Sequence, residues 1–196
     1  MVADAATRGH IVRAFVRSSA NNILPHENVE IFHGDAFDKD DVALAVEDTD
    51  VVISALGSWH TQTKDVQERA AEVIIPEMQV AGVSRIVSIT GAEARVMADK
   101  ITLAGRMSHA LFSAVAPKIL HDGEAHVRLL EQSSLGWTVV RSPAMTDSND
   151  YQGYAFTSTR PSLVATIYRG SVAKSMVDLA ETDDYVGQAP FLRHTK

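Results

Sequence analysis

A doubly wound, mostly parallel α/β sheet is the fold this sequence predicts, and three observations predict it. Asp50–Gly57, DVVISALG, is an unbroken apolar run opened by an acid and closed by a glycine, the pattern of a strand that helices cover on both faces. Arg85–Thr90 repeats that pattern after one intervening helical stretch, again with a glycine, Gly91, behind it. Short apolar runs then alternate with helical periodicity along the chain, as βαβ units require. Ligands of open parallel sheets sit at the carboxyl ends of strands, so function is expected around Gly57 and Gly91.

Taken in order, Met1–Gly9 reads as the last turns of a helix, with three alanines and Gly9 as its stop. His10–Val16 is a strand, the loop 20–28 carries Pro25, and Val29–His33 is a further short strand ending at Gly34-Asp35. Asp38 can cap the next helix, with Asp40 and Asp41 in its first turn where the helix dipole favours anions. After the strand that closes on Gly57 and a polar loop, Val66, Ala70, Val73 and Ile74 predict a helix to about Ala81, kinked at Pro76.

Past Thr90 the pattern changes. Leu103, Met107, Leu111 and Val115 stand four apart, an amphipathic helix inside a long insertion, and such a stripe is expected to face the core rather than form a lid. A helix over Asp122–Ser134, a strand over Trp137–Arg141 broken by Ser142-Pro143, a loop over 149–162, a helix over Ser171–Glu181 and a last strand over Ala189–Arg193 complete the chain.

Composition bounds the function. At 196 residues, 45% hydrophobic and 22% charged, one domain over 1–196 is expected. The absence of cysteine excludes disulfides, thiolate metal sites and cysteine nucleophiles, and agrees with a cytoplasmic setting. A net charge of -7 without a basic cluster argues against direct nucleic-acid binding, and no apolar span suits a membrane. His121 and His126 are five apart, off the spacing that puts two ligands on one helix face, so no metal site is expected.

One signal is missing. A dinucleotide fold opens with a strand feeding a glycine-rich turn, and this chain has no such motif; its first strand already suits the second position. In the order 3-2-1-4-5-6 the absent strand is central. Three outcomes are open: the sequence starts late, strands two and four pair directly, or another chain fills the slot.

RGHIVRAFVRS, VEIFHGDAFD, TDVVISALG, GVSRIVSITGAE, LEQSSLGWTVVRSP and YRGSVAKSMVDLAE, in this order from Gly9 to about Phe191, resemble the atypical short-chain dehydrogenase/reductase family termed NAD(P)H-binding or NmrA-like, which includes biliverdin and flavin reductases. The resemblance implies a Rossmann-like sheet and a set of site positions. Arg17 after the second strand would pair with the 2′-phosphate of NADP, so NADP is preferred over NAD. Asp35 matches the position beside the adenine. Ala55, Leu56 and Gly57 match the strand end that lies along the cofactor, and Ser142 and Pro143 match the loop facing the nicotinamide. Thr90 stands where reductases of this superfamily place a hydroxyl on the reacting group. The tyrosine and lysine of the Y-x-x-x-K pair are not recoverable: the corresponding helix reads ILHDGEAHVRLLEQ, and no tyrosine occurs before Tyr151. His121 is the best remaining proton donor by intrinsic pKa.

Two function classes follow. One is an NADPH-dependent oxidoreductase acting on a small carbonyl, quinone or flavin-like acceptor. The other is a non-catalytic NmrA-like dinucleotide sensor or interaction protein; an inactive fragment of a longer reading frame is a third. A small-molecule acceptor is the expected partner, and homo-oligomer formation is left open.

Overall fold

The computed structural model describes residues 1–17, 26–59, 61–147 and 153–195. Most of the loop expected over 20–28 and the start of that over 149–162 lie outside them. The elements are α1 (Val2–Thr7), β1 (Val12–Val16), β2 (Val29–His33), α2 (Lys39–Val46), β3 (Val51–Ser54), α3 (Val66–Ala81), β4 (Arg85–Gly91), α4 (Leu103–Val115), α5 (Pro117–Gln132), β5 (Gly136–Ser142), β6 (Ala144–Thr146), β7 (Tyr154–Thr157), β8 (Thr166–Tyr168), α6 (Arg169–Ala180) and β9 (Phe191–His194).

A five-stranded sheet in the order β3-β4-β5-β9-β7 is parallel except for β7, which runs antiparallel to β9. Its register sets Ser54 beside Ser88 and Gly91 beside Ser142, so the carboxyl ends of β3, β4 and β5 share one edge. β1 and β2 form a separate parallel pair, and β6 with β8 another. No ladder joins β1 to β3, so the direct pairing of strands two and four does not occur.

Helices cover both faces because the strands are apolar on both. On one side Val42, Ala70, Ile74, Met78, Val127 and Leu130, from α2, α3 and α5, pack on Ile86, Trp137 and Val139. On the other, Val172, Met176 and Leu179 of α6 pack on Val87, Ile89 and Val140. Arg85, buried at the start of β4, donates to the carbonyls of Ile86, Gly136 and Leu179 and to Thr138 Oγ1; burial lowers its pKa. Asp38 caps α2 as expected, accepting from the amides of Asp40 and Asp41. α3 is a single helix through Pro76 and ends on Gly82, whose φ of 74° is the left-handed cap a side chain would strain.

Two expectations fail. Val51, Val52 and Ile53 of β3 are half-buried rather than covered on both faces, because one edge of β3 is unpaired. The α4 stripe does not face the core: Leu103, Met107, Leu111 and Val115 are 75%, 68%, 57% and 77% exposed, and no residue of α4 is buried. Periodicity of four shows that a helix has an apolar face; it does not say that anything covers that face.

Candidate functional site

The carboxyl edge of the sheet is held by a buried polar cluster. Asp122, 1% exposed on α5, directs its carboxylate at the N-terminus of α3, accepting from the amides of Gln67 (3.3 Å) and Glu68 (2.9 Å) and from Ser58 Oγ (2.5 Å). Ser58 Oγ in turn accepts from the Val66 amide at 3.0 Å. Asp65, the residue before the helix, makes no side-chain cap, so a carboxylate from a distant helix satisfies donors that a local cap would have taken. Gln67 donates its amide nitrogen to the carbonyls of Leu56 (3.0 Å) and Ile89 (2.5 Å), pinning the ends of β3 and β4 together.

Thr90 is buried, and its hydroxyl donates to Gln67 Oε1 at 3.3 Å. Gly123 of α5 lies so close that a Cβ there would stand 2.4 Å from Thr90 Oγ1. His121 points elsewhere: its side chain is 68% exposed, with Nε2 3.9 Å from a Glu68 carboxylate oxygen. His126, by contrast, is buried with Nε2 2.9 Å from Ser88 Oγ, and burial drives its pKa down from 6.5 to about 4, leaving a neutral ring in the core.

Ala55 and Gly57 are exposed at the end of β3 with Leu56 half-buried between them, and a Cβ on Gly57 or Gly91 would meet nothing within 4 Å. Ser142 and Pro143 are buried at the end of β5, where the Ser142 carbonyl accepts from the Ala92 amide at 2.8 Å. At the end of β1, Arg17 is exposed and its guanidinium has no partner among the described residues. Beside it, Asp35 accepts from the Phe37 amide at 3.0 Å in a turn whose Gly34 leaves room for Phe15: a Cβ there would sit 2.4 Å from the ring. Thus Ala55, Leu56, Gly57, Thr90, Ser142 and Pro143 share one edge, while Arg17 and Asp35 stand at the adjoining ends of the neighbouring strand pair without a bond between them.

A model of the NAD(P)H-binding family matches residues 1–183. The chain belongs to that family. Among solved structures, this chain is similar to an oxidoreductase, ylbE, from Lactococcus lactis (19% identity, TM-score 0.78, covering 100% of this chain and 84% of that one). It is also similar to a short-chain dehydrogenase/reductase from Veillonella parvula in complex with NADP (15%, 0.74, 98% and 87%). A third is ChuY, an anaerobilin reductase from Escherichia coli O157:H7 (18%, 0.73, 99% and 89%). These likenesses establish a Rossmann-like fold; no curated protein matches the sequence.

The described residues leave room for the two ends of a dinucleotide but offer no cradle for its middle at α3. The open space above Gly57 and Gly91 suits a nicotinamide ring laid on the strand ends, and Arg17 can meet a phosphate on the adenosine ribose. The α3 N-terminus is not available as a pyrophosphate cradle, because Ser58 and Asp122 already accept from the amides of residues 66–68. No group of three metal-ligating side chains occurs among the described residues, and no described helix is long and apolar enough to cross a membrane.

A concavity of about 930 Å³ lies elsewhere, between the 95–105 segment and the 156–163 loop over Trp137 and Phe191, and none of the expected site residues lines it. Its wall is closed by two ion pairs, Arg141 with Asp99 and Arg160 with Glu93, both at 2.6 Å. Glu93 is therefore a buried partner of Arg160. Ser58, Gln67 and Asp122, the cluster that positions the strand ends, carried no local signal beyond Asp122 standing beside His121.

Proposed function

We propose that this protein is a reductase that takes hydride from NADPH and delivers it to a small carbonyl, quinone or flavin-like acceptor, rather than acting on a nucleic acid or a membrane. Family membership supports dinucleotide binding, and one observation carries the choice of NADPH: the exposed, unpaired guanidinium of Arg17 beside the Asp35 turn. In this reading NADPH supplies the hydride when bound. Ala55–Gly57, Ser142 and Pro143 would hold it at the strand ends, the Asp122–Gln67 cluster would keep that edge rigid, and Thr90 would add its hydroxyl.

A second reading, a dinucleotide-responsive protein without catalysis, is favoured by a separate observation. The Thr90 hydroxyl is already donated to Gln67, and the His121 ring faces solvent beside Glu68. A fluorescence titration with NADPH and with NADH, on the wild type and on Arg17→Glu, tests the binding. The reading expects NADPH to bind at least about tenfold more tightly than NADH, and the variant to lose that preference. Equal affinities in the wild type would contradict it. NADPH oxidation against a panel of acceptors then separates the two readings, since the second predicts none.

A further inference from the structure

α4 turns its polar face inward and its apolar face out. Ser108 donates to a Glu93 carboxylate oxygen at 3.2 Å, and His109 Nε2 lies 2.9 Å from Glu124 Oε1 on α5. Phe112 meets Trp59 edge-on, with ring centroids 6.4 Å apart. These contacts fix which way the helix faces. Leu103, Met107, Leu111 and Val115 therefore stand in solvent together, in a stripe about 18 Å long at the helical rise per residue. Met97 and Ile101, on the segment that leads into α4, are exposed as well, and so is Trp59. Single exposed apolar side chains are ordinary, but this many on one stretch of chain form a patch of the kind that binds something.

The charge on that stretch is opposite in sign to the rest of the molecule. From Arg95 to Lys118 the sequence holds four cations, Arg95, Lys100, Arg106 and Lys118, and one carboxylate, Asp99: a net +3 where the whole chain carries -7. The carboxylates nearby are spent inward. Asp99 is bound to Arg141 and Glu93 to Arg160, both at 2.6 Å, while Glu124 takes His109. Lys100, Arg106 and Lys118 are exposed and Arg95 half-exposed, and none of the four forms an ion pair among the described residues. An apolar stripe is thus flanked by cations that no acid of this chain answers.

We propose that α4 and the segment before it dock this protein on an anionic phospholipid surface. The apolar stripe enters the boundary between headgroups and acyl chains, and the four cations reach the lipid phosphates, as long basic side chains at such a boundary do. No described helix is long and apolar enough to cross a membrane, and none is needed, because a helix of this kind lies in the plane of the surface. A second copy of this chain suits the patch less well. Pairing α4 with its own twin would set these cations against one another while the one acid of the stretch stays on Arg141. The lipid is a place of attachment and not a substrate, so the proposal stands whether or not NADPH binds.

The test is co-sedimentation of the full chain with vesicles of phosphatidylcholine containing about 30% phosphatidylglycerol, and with vesicles of phosphatidylcholine alone. The anionic vesicles bind at least about tenfold more tightly, and about 0.5 M salt weakens that binding by a similar factor. Met107→Asp with Leu111→Asp, and separately Lys100→Glu with Arg106→Glu, each weaken binding about tenfold or more, whereas Val80→Asp at an exposed position on α3 leaves it unchanged. Circular dichroism melts check the fold of each variant, and the wild-type comparison of the two vesicles decides without them. No binding to either vesicle, equal binding to both, or anionic binding that survives both double variants would overturn the proposal. So would a lipid-free dimer in sedimentation equilibrium that Met107→Asp with Leu111→Asp dissociates, the mark of a second copy on the stripe.

Discussion

Replacing Asp122 with alanine removes the acceptor for Ser58 Oγ and for the Gln67 and Glu68 amides in a place water reaches poorly, since Asp122 is 1% exposed. A lost helix cap costs about 1 kcal/mol, and each buried donor left unsatisfied about 1–3 kcal/mol. Ser58 can turn its hydroxyl toward another acceptor and still serve the Val66 amide, which leaves two orphaned amides at the helix start. The sum is about 3 kcal/mol, or a fall in Tm of roughly 6–12 °C for a domain of this size. Asp122→Asn keeps one acceptor and loses about half as much. Urea and thermal unfolding followed by circular dichroism give both numbers. The Asp122→Ala and Ser58→Ala effects should also fail to add, because the two residues share one hydrogen bond. An alanine variant within about 0.5 kcal/mol of the wild type would refute the claim that Asp122 caps α3.

Other predictions are briefer. His126 is neutral when folded and its pKa falls from 6.5 to about 4, so the unfolded chain binds the extra proton between those values; stability is full above pH 6.5 and declines as pH falls toward 4, by about 3 kcal/mol at most. In His126→Gln this part of the pH dependence disappears, as stability curves at pH 7 and pH 5 will show. Gly123→Ala drives a Cβ against Thr90 Oγ1 and should cost about 1–3 kcal/mol, with part recovered in the double variant carrying Thr90→Ala; urea midpoints decide. Met107→Lys with Leu111→Lys on the exposed α4 face should leave unfolding stability within about 0.5 kcal/mol, and a loss of several would mean that the stripe is core after all.

The parallel strands were legible because β3, β4 and β5 are continuous apolar runs that end on glycine, serine or proline, and α2 because Asp38 and its following acids are a local cap. The expectation of function around Gly57 and Gly91 followed from that alternation, whereas Ala55, Leu56, Thr90, Ser142 and Pro143 came from the family resemblance. What sequence did not reveal depends on distance along the chain: Asp122 serves amides 54 and 55 residues away, and Glu93 finds Arg160 across 67. Neither pairing leaves a periodic trace. The α4 stripe misled for a related reason, since its spacing is that of any core helix and the missing cover lies in another part of the structure, or in none. The ladder of β6 with β8, three residues each, was too short to read.

The most direct test of the account is an amide chemical-shift map of the chain titrated with NADPH. Shifts clustered at Arg17, Asp35, Ala55, Leu56, Gly57, Gly91 and Ser142, and absent from the 95–105 and 156–163 segments, would be the predicted result. A map centred on those two segments, or no shift on any residue of the strand ends, would contradict the claim that the carboxyl edge of this sheet is where the protein works.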